Sequence, residues 1–475
     1  MKTMPLMLHP DRFFSSNPAV RSIARNLYQR VKDLPIISPH GHVDPRLFVL
    51  NEPFANPTEL FITPDHYIFR MLHSQGIDLN LLGIPHRDGT RAKTDPRRVW
   101  QIFAENYYLF RGTPSGVWLN HEFAEIFSIK ECLTADSAMR IYDTIDEQLH
   151  TPEFLPRRLF ERFKIALLTT TDAAFDSLEH HKAMRASGWK GNVVPCFRPD
   201  SVTNLLDPSW KQNIEKLAAA SGMAVTNYKE YIAALENRRA YFKLMGAVST
   251  DHGVFSAYTH RLSDSEAEAM FVKGMKGSCT ADDAALFTAH MLMEMARMSV
   301  DDGLVMQIHP GVHRNHCQQA FEMFGPDKGF DIPVQGEFTS SLKELLNAYG
   351  THPKFAVIVF TLDETTYARE LAPLAGVYPA MKLGPAWWFD DSIEGMQRFR
   401  HMTTENAGIY NTAGFNDDTR AFVSIPARHD LSRRVDCDYL GHLVAEHLIE
   451  VNEAEELAYE MANGLVKKAY RVESL

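Results

Sequence analysis

The stretch Ile36-Ile37-Ser38-Pro39-His40-Gly41-His42 is a short β-branched run that breaks at a proline and then presents two histidines one residue apart. Isoleucine favours a buried strand, and proline cannot continue a central one. The run therefore predicts a strand ending near residue 38, with polar side chains delivered at its C-terminal end. The same pattern recurs along the chain. Residues 163–168 lead into Thr169-Thr170-Thr171-Asp172, 192–197 into Arg198-Pro199-Asp200, and 242–248 into Ser249-Thr250-Asp251-His252-Gly253. Residues 304–308 lead into His309-Pro310-Gly311, and 355–360 into Thr361-Leu362-Asp363-Glu364. Residues 378–383 lead into Gly384-Pro385-Ala386-Trp387-Trp388, and 409–414 into Asp417-Asp418-Thr419-Arg420. Most of these runs precede a helical stretch, such as 281–298. Eight strands alternating with helices predict an α/β fold with a parallel sheet closed into a (β/α)8 TIM barrel, one catalytic domain over residues 1–475.

One interval breaks this rhythm. Residues 55–160 are rich in Phe, Tyr, Trp and Leu, and so long a structureless loop does not fit a compact domain. They predict a helical subdomain inserted after the first strand, over the C-terminal face of the barrel, where such enzymes keep their sites.

Composition narrows the partners. The 475 residues carry 49 Lys and Arg against 60 Asp and Glu, a net charge of −11. That field repels phosphate backbones and anionic lipid, so nucleic acid and membrane surfaces are not expected partners. An anionic substrate needs a local cationic site. The five cysteines are scattered, with no CxxC pair, which predicts reduced thiols in a cytoplasmic protein. No apolar run approaches the ~20 residues of a membrane helix, and the N-terminus does not read as a signal peptide. Walker A, GxGxxG, HExxH and GxSxG motifs are absent.

The strand ends supply a constellation. On an extended strand, His40 and His42 at i, i+2 share a face and suit one metal ion. A bare pair of this kind is more often simply solvated, but a place at a barrel strand end favours a ligand pair. Asp418, at the last strand end, offers a third ligand. Three protein ligands with open positions is the pattern of a catalytic zinc-type site. Arg420 and Arg198 offer planar guanidinium forks for carboxylate or hydroxyl groups. Asp251 and His309 are further polar groups at strand ends, and Trp388 follows the seventh run as an apolar wall for a sugar face or as barrel core. His66 and Tyr67 lie in the insertion, where the phenol is a candidate proton shuttle.

Taken together in this order and spacing, the chain resembles the uronate isomerase (glucuronate isomerase) family, a divergent branch of the amidohydrolase superfamily, over essentially its whole length. The stretches that carry the resemblance are Pro39-His40-Gly41-His42 with Asp44-Pro45, Asp65-His66-Tyr67 with Arg70, Gly116-Val117-Trp118-Leu119, and Thr170-Thr171-Asp172 with Asp176-Ser177-Leu178. They continue with Pro195-Cys196-Phe197-Arg198-Pro199-Asp200, Asp251-His252-Gly253 and Gln307-Ile308-His309. The C-terminal part adds Gly384-Pro385-Ala386-Trp387-Trp388-Phe389, Asp417-Asp418-Thr419-Arg420, and Arg428-His429-Asp430 with Arg433-Arg434.

The resemblance implies an aldose–ketose isomerase that interconverts D-glucuronate with D-fructuronate and D-galacturonate with D-tagaturonate. It implies that His40, His42 and Asp418 hold one divalent metal, with zinc expected, and that Asp418 also accepts from the substrate's C5 hydroxyl. Arg420 would contact the C2 and C3 hydroxyls, Tyr67 would reach the C1 carbonyl, and Arg198 would help hold the carboxylate. His66, Asp251, His309 and Trp388 are implied substrate-site positions, the roles of Asp251 and His309 being open. Some members carry Asp-Ser-Arg where this chain has Asp418-Thr419-Arg420, a change that removes no group the chemistry needs. A small anionic sugar acid is the expected partner, and a homo-oligomer is compatible with the family. Two alternatives stand beside this reading: a metal-dependent hydrolase of the amidohydrolase type, and a catalytically inert barrel that binds sugar acids. The lysine that hydrolytic relatives use to bridge a second metal is not evident.

Overall fold

The computed structural model describes residues 4–475. Seven parallel strands form one curled sheet in which spatial order equals chain order: β1 (Ile36–Ser38), β2 (Ile165–Ala173), β3 (Val193–Arg198), β4 (Ser249–Val254), β5 (Val305–Pro310), β6 (Val357–Val359) and β7 (Met381–Leu383). Each is buried on both faces along most of its length, as expected of strands wrapped by helices.

The eighth strand of the expected barrel is not a regular one. Residues 409–411 form a short 3-10 turn, and only Thr412 makes a parallel bridge, to Leu383. Gly414 explains the irregularity: it sits at φ +77°, and a Cβ there would lie 2.3 Å from Val466 Cγ2, so the backbone turns where the C-terminal helices press against it. The segment still closes the ring. The Ala413 amide donates to Leu383 O (2.8 Å) on one side, and the His42 amide donates to Thr419 O (3.0 Å) on the other.

A second expectation needs correcting. The apolar run at 242–248 is not the fourth strand. Its first part ends the helix Tyr228–Leu244, with Phe242 fully buried on the helix face, and the chain turns at Gly246 (φ +91°) before β4 begins at Ser249. A buried helical tail and a buried strand present the same apolar string, so periodicity alone does not separate them. The run at 378–383 likewise contributes only its last residues to β7.

Between β1 and β2 no strand of the sheet intervenes. The chain runs through helices that include Pro57–Phe61, His66–His73, Pro96–Glu105, Pro114–His121 and Ala138–Leu149. Their starts are written locally: the side chains of Asn56, Asp65, Asp95 and Thr113 accept backbone amides of the first turn, and proline opens three of the four helices so capped. Phe61, Trp100, Phe103, Phe123, Phe127 and Tyr142 pack together in an apolar cluster that continues to Ile165 and Val193 at the barrel wall. This packing fixes the helix His66–His73 over the strand ends.

The helix Ile425–Ala445 is held to the helix Ile393–Ala407 by a buried two-pronged pair, with Arg400 Nε 2.7 Å and Nη2 3.0 Å from the two oxygens of Asp436. Removing one member strands a charge in the interior. Arg400→Leu is expected to lower unfolding stability by about 3–5 kcal/mol, read as a shifted urea midpoint at unchanged slope. A shift below about 0.5 kcal/mol would contradict this account of the pair. Among the described residues, no helix is long and apolar enough to cross a membrane.

Candidate active site

Pro39 ends β1, and the two histidines that follow turn toward Asp418. His40 Nε2 lies 3.2 Å and His42 Nε2 3.1 Å from the same oxygen, Asp418 Oδ1. Two bonds hold the backbone of this hairpin-like approach: Thr171 Oγ1 donates to Gly41 O (2.9 Å), and the His42 amide donates to Thr419 O. Asp418 is a left-handed residue (φ +40°), which aspartate tolerates better than most and which aims its carboxylate inward. Its other oxygen, Oδ2, accepts from the indole Nε1 of Trp387. One oxygen is therefore anchored while Oδ1, buried and without a well-directed hydrogen bond, faces both imidazoles.

The electrostatics match that geometry. Burial disfavours the charged forms, yet the neighbouring imidazoles hold Asp418 well below the usual carboxylate range. For His40 the burial penalty is outweighed by Asp418 and Asp251, which raise its pKa. Such an arrangement attracts a cation. The donor set of two imidazole nitrogens and a carboxylate oxygen, its ligand atoms within 4.8 Å of one another, suits a first-row divalent ion, so the residues fit a metal.

A second group shares His40 and includes Asp251 and His309. Here the acid already has partners. Asp251 Oδ1 lies 2.7 Å from His309 Nδ1, and Oδ2 lies 3.1 Å from Arg198 Nη1. His309 stacks on His40 (ring centroids 4.7 Å) and on Phe360 (4.0 Å). Burial lowers its pKa to about 4, so it is neutral at pH 7, with Nδ1–H given to Asp251 and no hydrogen-bond partner for Nε2 among the described residues.

Side chains from the helices between β1 and β2 also line the cavity. Tyr67 stacks on His66 (4.6 Å) and meets Trp118 edge-on (6.1 Å), while the Arg428 guanidinium lies 3.6 Å from the Trp118 ring centroid. Burial raises the Tyr67 phenol above its ordinary range, so it is a proton donor at neutral pH. Burial also lowers His66 to about 3. Trp388 carries the Arg314 guanidinium over its ring at 4.9 Å.

All ten residues singled out in the sequence line one cavity of about 1120 Å³. The cationic character expected of it is, however, largely compensated. Arg198 pairs with Asp200 (2.6 Å) as well as Asp251, and Arg420 pairs with Asp327 (3.1 Å). Asp200 stands in the quoted motif, but nothing in its spacing marks it as the arginine's partner. Asp327 and Arg314 lie in the long connection after β5, Arg314 directly after the short strand Val312–His313 that pairs with Ile332–Pro333, and neither belongs to the end of a barrel strand that the sequence marks. Trp387 reads from sequence as an apolar wall, whereas it is the hydrogen-bond donor that orients Asp418.

A family model described as glucuronate isomerase matches residues 11–470. The uronate isomerase of Xanthomonas axonopodis pv. citri is 54% identical over 472 residues, covering 99% of this chain and 100% of the relative. Among solved structures, glucuronate isomerase from Caulobacter crescentus superposes with a TM-score of 0.97 at 54% identity, covering 99% of this chain and 98% of that one. Uronate isomerase from Thermotoga maritima superposes with a TM-score of 0.91 at 27% identity, covering 98% and 99%. With the family model spanning nearly the whole chain and more than half of all positions shared with full-length relatives, the chain belongs to the glucuronate isomerase family and is an isomerase of the uronate isomerase kind.

Proposed function

We propose that the enzyme interconverts D-glucuronate with D-fructuronate and D-galacturonate with D-tagaturonate by C2-to-C1 proton transfer through an enediol, at a mononuclear site of the amidohydrolase type. The observation that carries this reading is Asp418 Oδ1, shared by the two imidazoles at 3.1 and 3.2 Å in a cavity that also holds a neutral phenol and two guanidinium groups. Hydrolysis of an ester or amide has no use for the phenol and the diol-binding arginine, and an inert binding protein has none for the ligand triad.

His40, His42 and Asp418 would hold one divalent ion, with zinc best matched to the donors, and when bound it would supply Lewis-acid charge for the substrate's carboxylate end. The remaining steps fall to the chain's own side chains. Arg198, fixed by Asp200 and Asp251, adds a positive edge for the carboxylate. Asp418 takes the proton of the C5 hydroxyl, and the C5 oxygen then removes the C2 proton and returns it to C1. Tyr67, kept protonated by burial, donates to O1 as the C1 carbonyl becomes a hydroxyl. Arg420 lies against O2 and O3 and stabilises the enediolate, and the O2 proton passes to the Tyr67 phenolate, which restores the phenol. The helices of residues 55–160 act as a cap that brings Tyr67 to this point and limits water.

The direct test is to assay ketose formation from both uronates before and after chelation and after zinc is returned. Conversion of both substrates, lost on chelation and restored by zinc, is the expected outcome. No ketose from either uronate would overturn the reading. A narrower prediction concerns Trp387: Trp387→Phe keeps an aromatic ring and removes only the donor to Asp418 Oδ2. Metal affinity is expected to fall about tenfold to a hundredfold, measured by competition with a chelating dye.

A further inference from the structure

We propose that this enzyme also isomerises the reducing-end residue of 4-linked uronide disaccharides, with the second sugar seated in the outer part of the same cavity. The inference rests on the function proposed above and concerns the size and class of substrate that the site accepts.

Three observations lead to it. The first is space. A drug-sized ligand occupies a pocket of about 300–1,000 Å³, and a six-carbon acid is smaller than such a ligand. The cavity measures about 1120 Å³, far more than one hexuronate fills.

The second is the change of lining from floor to mouth. The floor is polar and charged, with His40, His42, Asp251, Arg198 and Asp418. The mouth is formed by Leu206, Phe255 and Tyr258 with Ala281 and Ala285 at the start of the helix Ala281–Asp302. Phe255 is 66% exposed, Leu206 51% and Tyr258 41%. Aromatic rings standing free at the edge of a carbohydrate site offer flat apolar surfaces for the C–H faces of a pyranose ring, and the small side chains of Ala281 and Ala285 line the same cavity without filling it.

The third is chemical. Glucuronate and galacturonate differ only in the configuration at C4, so a site that turns over both does not read that centre. The groups assigned above address C1 (Tyr67), C2 and C3 (Arg420), C5 (Asp418) and the carboxylate (Arg198), and none addresses C4. An oxygen substituent at C4 therefore takes no part in the reaction and meets no group that must hydrogen-bond to it. It is the natural point of exit toward the mouth.

The chemistry balances without any added reactant. In the open-chain form of the reducing-end residue, the C2 proton moves to C1, the C1 carbonyl becomes a hydroxyl, and the C2 hydroxyl becomes a ketone. The glycosidic bond at O4 is neither formed nor broken, so substrate and product have the same mass.

The test uses α-1,4-linked digalacturonate beside free galacturonate, with the metal-loaded full-length enzyme and its Phe255→Ala variant. Ketose formation is followed by carbon NMR of the C2 carbonyl, and the disaccharide is checked for unchanged mass. The expected result is conversion of the disaccharide to its 2-keto isomer. In Phe255→Ala, KM for the disaccharide is expected to rise about threefold to tenfold, with KM for galacturonate unchanged. Because Phe255 is largely exposed, its truncation leaves the fold intact. Turnover of free galacturonate without turnover of the disaccharide overturns this proposal, and so does a disaccharide that only inhibits. An equal effect of Phe255→Ala on both substrates also overturns it, by removing the mouth as the seat of the second sugar. Failure of galacturonate itself to react would instead sink the underlying function.

Discussion

Asp418→Asn is expected to leave a folded protein that binds little metal and turns over uronates at least about 10³-fold more slowly, a barrier rise of about 4 kcal/mol. The substitution keeps the side chain's shape, and the amide oxygen still accepts from Trp387 Nε1. What it removes is the negative charge at Oδ1, to which both imidazoles point at 3.1 and 3.2 Å. It also removes the group assigned to accept the C5 proton, so two separate contributions are lost in one change. The capture of an anionic substrate suffers as well. Arg198 and Arg420 already face Asp200, Asp251 and Asp327, so on the proposed reading the positive charge in excess would come from the ion that Asp418 helps to hold. Metal content by elemental analysis, kcat and KM together check the prediction. A variant with full metal and near-normal kcat would remove Asp418 from both assigned roles.

Tyr67→Phe separates chemistry from metal binding. The phenylalanine ring preserves the stack on His66 and the edge contact with Trp118, and none of the three ligands touches the hydroxyl. Metal content and thermal stability are expected to stay at the parent values, while kcat falls about 10²–10⁴-fold with little change in KM. The reason is that burial raises the phenol's pKa, so at neutral pH it carries the proton that the proposed step gives to O1. Retained turnover would assign the O1 proton to another group.

The fold was legible where a strand stops abruptly in polar residues. Ile36–Ser38 before Pro39 marks β1 to the residue, and 304–308 marks the position of β5, although that strand continues through His309 and Pro310. It was not legible where two structures share one apolar string. Phe242 caps the buried face of a helix, and the turn at Gly246 that separates it from β4 looks from sequence like the interior of a strand end. The irregular eighth segment is not legible for a different reason: its regularity is broken by the close approach of Val466 to Gly414, a tertiary contact that no local pattern marks.

The site divides along the same line. His40, His42, Asp418 and Arg420 announce themselves by position at strand ends. Asp327 and Arg314, which set the charge balance around Arg420 and Trp388, sit in a connection whose path only the folded chain reveals. The role of Trp387 was hidden because an indole reads as apolar until its N–H is seen to meet a carboxylate.

The bond from the His42 amide to Thr419 O lies on the seam where the barrel closes, and it ties the first ligating segment to the last. The two imidazoles are made early in synthesis and the carboxylate almost at the end. A nascent or truncated chain thus carries a pair of histidines but no partner for them, and such a pair grips metal poorly. Loading would thereby be coupled to completion: the proposed ion would be retained only after the last turn of the barrel has docked on the first, by contacts between residues far apart in the chain. On that reading, catalytic competence in this enzyme reports that the last turn of the barrel has closed on the first.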